Sequence, residues 1–247
     1  MTIVVTGGTK GIGLAIAKRL AGPGETLVLG YHADEAAAQD ARVAVEALGA
    51  TVAMARADIG TPAGAAELVA ACGPSGAPIT CLVHSAAMIY PTTLLGADPE
   101  RFTRAVETNG LSLLYLVQAA LPRLARGSSI IFISSAGARA ASPRYGALGV
   151  GKALAESLIR YLVMELAPLG IRINGVAPGL VRTTSVAAMV GGEAAAEQVF
   201  ERAARSNPSG RMSEDDDYTE VVAFLAGEGS RFVQGQIIHA NGGTFVG

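Results

Sequence analysis

A short apolar run, Thr2-Ile-Val-Val-Thr6, stops at Gly7-Gly-Thr-Lys-Gly-Ile-Gly13, after which apolar residues recur at helical spacing. A strand that breaks at a glycine-rich turn and continues as a helix opens a βαβ unit, and the next strand must then return parallel by a right-handed crossover. The alternation persists along the chain. Strands are expected at Thr2–Thr6, Thr26–Tyr31, Thr51–Arg56, Cys81–His84, Ser129–Ser134, Arg172–Val176 and Gly235–His239. Helices are expected near Ile12–Ala21, Ala33–Leu48, Thr61–Cys72, Pro99–Leu124, Pro143–Leu169 and Asp215–Ala226. This rhythm predicts an α/β fold, a doubly wound parallel sheet of about seven strands flanked by helices.

Composition agrees. Half the residues are apolar and 16% are charged, as a sheet covered on both faces requires. No Pro/Ser-rich linker interrupts residues 1–247, so one domain is expected. The least regular stretch, Thr183 to Arg211, is long enough to cover a site and is read as a substrate lid. A net charge of −2 gives no electrostatic case for nucleic acid or an anionic membrane. Cys72 and Cys81 form no CxxC pair, no apolar stretch approaches the roughly 18 residues of a membrane span, and Met1 runs straight into the first strand. The expectation is a soluble, cytoplasmic protein with reduced thiols. Asp215-Asp-Asp217 reads as dipole-complementing acids at a helix start, not as a metal site.

The opening loop has the context that gives its glycines meaning. Gly7 permits the tight turn, and Gly11 and Gly13 let the backbone approach a pyrophosphate at the helix N-terminus. The second strand ends Leu29-Gly-Tyr-His32, without the acid that would bind the ribose 2′-hydroxyl of NAD. Lys10 lies inside the loop, where a cation favours the 2′-phosphate, so NADPH is the expected cofactor. A solvated loop lysine is the plainer account of Lys10. His32 is a possible second contact, although a lone surface histidine is more often incidental.

Further along, Ser142-Pro143 has the form of an N-cap followed by proline at N1, predicting a helix that starts just before Tyr145. Tyr145 and Lys152 then share a face, about 10 Å apart along the axis. Ser135 ends the preceding strand, where a parallel sheet presents its ligands. A hydroxyl, a phenol and an ammonium are thus expected to converge beside a nicotinamide.

With these residues in order, the chain resembles the short-chain dehydrogenase/reductase superfamily over nearly its whole length, implying a Rossmann-type fold. Thr6-Gly7 to Gly13 matches the TGxxxGxG loop, with Thr9, Lys10 and Ile12 inside it. Asp58, followed by Ile59, matches the acid that contacts adenine. His84-Ser85-Ala86-Ala87 stands where the family has Asn-Asn-Ala-Gly. Asn109 matches the asparagine of the long central helix, Pro178-Gly179 with Val181 and Thr183 the PGxxxT segment over the nicotinamide, and Asn241-Gly-Gly243 the terminal motif. The resemblance implies that Ser135, Tyr145, Lys152 and Asn109 are catalytic and that the other matched positions, through Ser85 and Ala86, hold the dinucleotide.

One departure carries chemical information. The family's tyrosine stands four residues before the lysine, a position occupied here by Leu148. Tyr145 instead gives Tyr-x6-Lys, similar to the NADPH-dependent enoyl-acyl carrier protein reductase branch, whose ending resembles Asn207-Pro-Ser-Gly-Arg-Met212. In ketone reduction, hydride and proton reach bonded atoms. In enoyl-thioester reduction, hydride goes to the β-carbon while charge develops on the carbonyl oxygen, so the phenol must stand further off. Three residues along a helix move it about 4.5 Å.

The expected activity is therefore NADPH-dependent reduction of the 2,3 double bond of an enoyl thioester, on an acyl carrier protein or coenzyme A. The alternatives are a 3-oxoacyl, carbonyl or imine reductase using Tyr145 through an altered helix start, and a non-catalytic nucleotide-binding relative in which the tyrosine is lost. Arg139 and Arg144 read as solvated loop charges, with contact to a carrier protein as the alternative. Met88, Tyr90, Met189 and Phe200 either line an acyl pocket or pack. Broad apolar faces at Thr103–Leu121 and Leu154–Leu166 predict a homotetramer.

Overall fold

Alternation along the first strand decides how the sheet is covered. In the computed structural model, which describes residues 1–73 and 77–246, β1 (Thr2–Thr6) is buried throughout. Its Val4 joins one apolar layer, and Ile3 and Val5 join the opposite one. The other strands are β2 (Thr26–Tyr31), β3 (Thr51–Arg56), β4 (Ile79–His84), β5 (Leu124–Ile133), β6 (Arg172–Pro178) and β7 (Ile237–Ala240). All pair in parallel, in the order β3-β2-β1-β4-β5-β6-β7. The expected sheet is present.

Helices α1 (Gly11–Leu20), α2 (Glu35–Glu46) and α9 (Asp215–Ala226) cover one face, burying Ile16, Val45, Tyr218 and Leu225. Helices α3 (Pro62–Ala70), α5 (Ser112–Ala120) and α6 (Gly146–Leu166) cover the other, burying Leu68, Leu113, Leu116, Ile159 and Leu162. Each such side chain contributes about 1.5–3 kcal/mol. Among the described residues no helix is long and apolar enough to cross a membrane.

The chain builds outward from β1 to β3 and then crosses back to β4. The sheet's switch point therefore lies between β1 and β4, where Thr6 stands in register with His84. Ligands of such sheets bind beyond the carboxyl ends of these strands.

Three expected elements differ. The helix read over Pro99–Leu124 is broken: α4 (Pro99–Val106) passes into a π-helical turn, Glu107–Leu111, before α5. Two glycines bring this turn against α6, since a Cβ on Gly151 would fall 2.6 Å from Asn109 Cβ and one on Gly110 would fall 2.5 Å from the Gly151 carbonyl oxygen. The helix expected from Pro143 begins at Gly146 instead, because Arg144 sits at φ +60, a conformation no α-helix continues through. The stretch read as irregular, Thr183 to Arg211, contains two helices, α7 (Thr184–Val190) and α8 (Glu193–Ser206), joined through Gly191 and Gly192. The acidic run Asp215–Asp217 lies in the first turn of α9, where Asp217 accepts from the Glu214 amide at 2.8 Å and pairs with Arg211.

The closeness of the α6 crossing is testable. Gly151→Ala is expected to lower stability by about 1–3 kcal/mol through overpacking, moving the thermal midpoint by about 2–4 °C per kcal/mol in a chain of this size. Scanning calorimetry checks this, and an unchanged midpoint would mean that the crossing has slack.

Candidate active site

The loop after β1 forms a cradle. At the start of α1, Lys10 is extended and provides no side-chain cap, and the first turn carries no acid, so its amides keep no side-chain partner. A Cβ on Gly13 would lie 2.1 Å from the Gly7 carbonyl oxygen, and one on Gly11, at φ +47, would lie 3.1 Å from Thr183 Cγ2. Thr183, remote in sequence, thus stands over the N-terminus of α1. An uncapped helix end facing a cleft that side chains would fill fits the pyrophosphate of a nicotinamide dinucleotide. Thr9 is buried in the loop and Ile12 packs against the core.

From the loop after β1 the Lys10 ammonium reaches the segment beyond β2, where it is already paired with Asp34, whose other oxygen caps α2 by accepting from Ala37 at 3.0 Å. Lys10 draws the Asp34 carboxyl below its ordinary range, and the Ala37 amide adds to this. The strand end that reads as acid-free thus has an acid two residues past His32, which is exposed. At the end of β3, Asp58 is shared between the Gly60 amide, at 3.2 Å, and Arg104 on α4, so its carboxylate arrives partnered. Ile59 is buried in the core.

The β4 end is closed by a buried network. Thr6 Oγ1 accepts from the amides of Ser85 and Ala86, both at 3.0 Å, and lies 3.1 Å from His84 Nδ1. His84 Nε2 lies 2.6 Å from Ser112 Oγ, whose proton goes to the Thr108 carbonyl at 2.7 Å. Burial, and secondarily Lys152, pushes His84 down to about 3. Across the crevice, Pro178 ends β6, Gly179 donates to the Ala240 carbonyl at 2.9 Å, and Val181 is buried.

Ser135, Tyr145, Lys152 and Asn109 surround the end of β5. Ser135 caps a 3₁₀ turn, Ala136–Ala138, by accepting from the Gly137 amide at 3.1 Å, and the Tyr145 hydroxyl donates to the same oxygen at 3.0 Å. Both acceptor positions of Ser135 are thereby used while its own proton stays available to an incoming oxygen. Desolvation raises the Tyr145 phenol above its ordinary value and the Ser135 hydrogen bond lowers it in part, leaving a donor at neutral pH. Leu148 is buried.

Lys152 is buried, with its amine donating to the Ile133 carbonyl at 2.6 Å and standing 4.5 Å over the Phe132 ring. Among the described residues no hydrogen bond joins it to Tyr145. Asn109 sits in the π turn and exchanges two hydrogen bonds with Met88, donating to its carbonyl at 2.9 Å and accepting from its amide at 2.8 Å. Its side chain pins the loop after β4 and does not reach the phenol.

Two charges had a different fate. Arg139, read as solvated, donates to the buried Glu156 at 2.8 Å, and Arg144 donates to the Pro91 carbonyl at 3.4 Å. Glu156 escaped notice in the sequence, although an acid four residues after Lys152 on an apolar helix was the available signal. Of the apolar set, Tyr90 is buried beside Met88, Ala105 and Ala147, and Phe200 lies beneath Arg182 at the edge of an α7–α8 groove of about 410 Å³.

Similarity to known proteins extends over nearly the whole chain. The family model for enoyl-(acyl carrier protein) reductase matches residues 7–244. An oxidoreductase of Methylorubrum extorquens is 35% identical over 98% of this chain and 96% of its own. The 1-cyclohexenylcarbonyl-CoA reductase of Streptomyces collinus is 29% identical over 98% of this chain and 86% of its own. The structure of the angucycline C-6 ketoreductase LanV with bound NADP superposes with a TM-score of 0.87 at 29% identity, covering 100% of this chain and 96% of that one. The chain belongs to the short-chain dehydrogenase/reductase superfamily of oxidoreductases.

Lys152 gives the site a pH signature. Desolvation takes its amine down from the usual 10.5 to about 7. The unfolded chain therefore binds one proton more between those values, and stability rises with pH across that window. The cost of the buried ammonium is full below about pH 7 and vanishes near 10.5. Lys152→Met is expected to raise the thermal midpoint of the cofactor-free protein near pH 7, and scanning fluorimetry should show the advantage shrinking towards pH 10. An advantage independent of pH would contradict the depressed amine.

Proposed function

We propose that the chain uses NADPH to saturate the 2,3 double bond of an enoyl thioester carried on an acyl carrier protein or coenzyme A. The observation that carries this reading is the displaced phenol: Tyr145 reaches Ser135 from just before α6, and the position four residues ahead of Lys152 holds a buried leucine. The enoyl-reductase family model and the Streptomyces collinus acyl-CoA reductase support it.

A bound reduced nicotinamide supplies the hydride. Tyr145, kept protonated by burial, turns its one proton from Ser135 to the thioester carbonyl oxygen as negative charge develops there. Ser135 adds its unspent proton to the same oxygen. The α1 amides, Asp58, Thr183 and Lys152 would hold the dinucleotide, and Asn109 fixes the loop at Met88 that walls the site. Water completes the reaction by protonating the α-carbon. The exposed Tyr161 and Met164 on α6 support a homotetramer as the working assembly.

A second reading, reduction of a ketone or aldehyde, is favoured by the 3.0 Å Ser135–Tyr145 contact, since two hydroxyls on one oxygen also suit a carbonyl, and by the likeness to LanV. NADPH oxidation with crotonyl and acetoacetyl thioesters in parallel separates the two. Turnover of the crotonyl substrate alone is expected, and turnover of the ketone alone would overturn the enoyl reading. Tyr145→Phe is expected to lower kcat by about 10²–10³-fold while leaving NADPH binding unchanged.

NADPH preference rests on Lys10. Its ammonium passes from Asp34 to the 2′-phosphate, a charge-assisted contact of about 1.5–3 kcal/mol. Lys10→Ala is expected to weaken NADPH by about ten- to a hundredfold and leave NADH nearly unaffected. Calorimetric titration checks this, and equal losses for both nucleotides would remove Lys10 from the 2′-phosphate.

A further inference from the structure

We propose that Glu156 is a positioning residue for the Ser135–Tyr145 pair. This rests on the assignment of that pair as the proton-donating centre. Glu156 is 3% exposed and lies on α6 one turn beyond Lys152. Its two oxygens hold two ends of the same short segment. Oε1 accepts from the Ser134 hydroxyl at 2.6 Å, and Oε2 accepts from Arg139 Nε at 2.8 Å. Between Ser134 and Arg139 lie only Ser135 and the 3₁₀ turn Ala136–Ala138.

The middle of this segment is the seat of the phenol. A Cβ on Gly137 would fall 2.3 Å from Tyr145 Cε1, so the ring packs directly against the backbone there. The Gly137 carbonyl in turn abuts α6, 2.5 Å from where a Cβ on Gly149 would be. The turn that carries Ser135 and supports Tyr145 is therefore clamped at both ends by one carboxylate and pressed on its inner side by the helix that bears Lys152.

An acid buried to this degree costs folding energy unless every oxygen finds a donor, and an apolar side chain would fill the same space without that cost. What Glu156 adds is direction. Adjacent serines on an extended backbone point to opposite sides. Holding the Ser134 hydroxyl on one side sends Ser135 to the other, towards Tyr145, and holding Arg139 keeps the turn from unwinding. The distance between the Ser135 and Tyr145 oxygens is set from behind by a residue that touches neither.

Steady-state kinetics on Glu156→Gln, alone and combined with Ser135→Ala, test this with whichever thioester the parent reduces. Glu156→Gln is expected to lower kcat at least tenfold with KM for NADPH unchanged, and to add less than twofold when Ser135 is already alanine. Full loss in both backgrounds, or parental kcat in Glu156→Gln, would overturn the proposal. Should Glu156→Gln fail to fold, Ser134→Ala removes one end of the clamp and leaves the Arg139 pair. It is expected to lower kcat severalfold with the same KM and the same dependence on Ser135, and parental kcat there would overturn the proposal. Tyr145→Phe separates the levels. A crippled Tyr145→Phe beside a parental Glu156→Gln defeats the clamp alone, whereas an active Tyr145→Phe defeats the reading beneath it as well.

Discussion

The hydroxyl of Thr6 holds the sheet together where its two halves part. It accepts from two amides of the loop after β4 and has one proton left, which can only go to His84 Nδ1. That choice propagates. His84 must carry its hydrogen on Nε2 and donate to Ser112, and Ser112 must spend its own proton on the Thr108 carbonyl inside the π turn. Both lone pairs of the Thr6 oxygen are taken by the Ser85 and Ala86 amides, so a second proton on the imidazole, at Nδ1, would face an oxygen with no lone pair to offer. The network thereby ties together the loop after β1, the loop after β4 and the π turn.

The chemistry of the site follows from how few protons it has free. Ser135 receives from Gly137 and Tyr145 and gives to neither, while Lys152 is committed to the Ile133 carbonyl and stands over the Phe132 ring. Desolvation raises the phenol and depresses the amine, so burial favours the uncharged form of each. A site of neutral donors in a dry setting stabilises charge that appears on the substrate during reaction and pays nothing to reorganise.

Much of this was legible in the sequence where the signal is local. The glycine loop announces itself because its backbone must turn tightly between a strand and a helix, Ser135 stands at a recognisable strand end and Lys152 at a fixed helical spacing from Tyr145, whereas Asn109 was reached only through the family resemblance. What escaped depends on contacts between distant segments or on a single dihedral. Ser142-Pro143 reads as a helix start, but Arg144 at positive φ delays the helix to Gly146 and leaves Tyr145 at its threshold. The end of the second strand read as acid-free because Asp34 lies beyond it, and only the fold brings Lys10 to that carboxylate. Arg139 looked solvated because Glu156, its partner, is 17 residues away on another element. The two helices between Thr183 and Arg211 were hidden by Gly191 and Gly192, whose strength as breakers outweighs two short flanking patterns.

The π turn at Glu107–Leu111 also says something about how lengths along this chain are constrained. An α-helix advances about 100° per residue, so one residue accommodated in a wider turn rephases everything after it by that angle. Upstream of the turn, α4 presents Arg104 to Asp58, and downstream, α5 presents Leu113 and Leu116 to the sheet. Removal of a single residue here would leave both helices intact and turn one against the other, carrying the leucines off the sheet and Asn109 away from Met88. In this segment the residue count itself carries structural information, independent of which residues are counted.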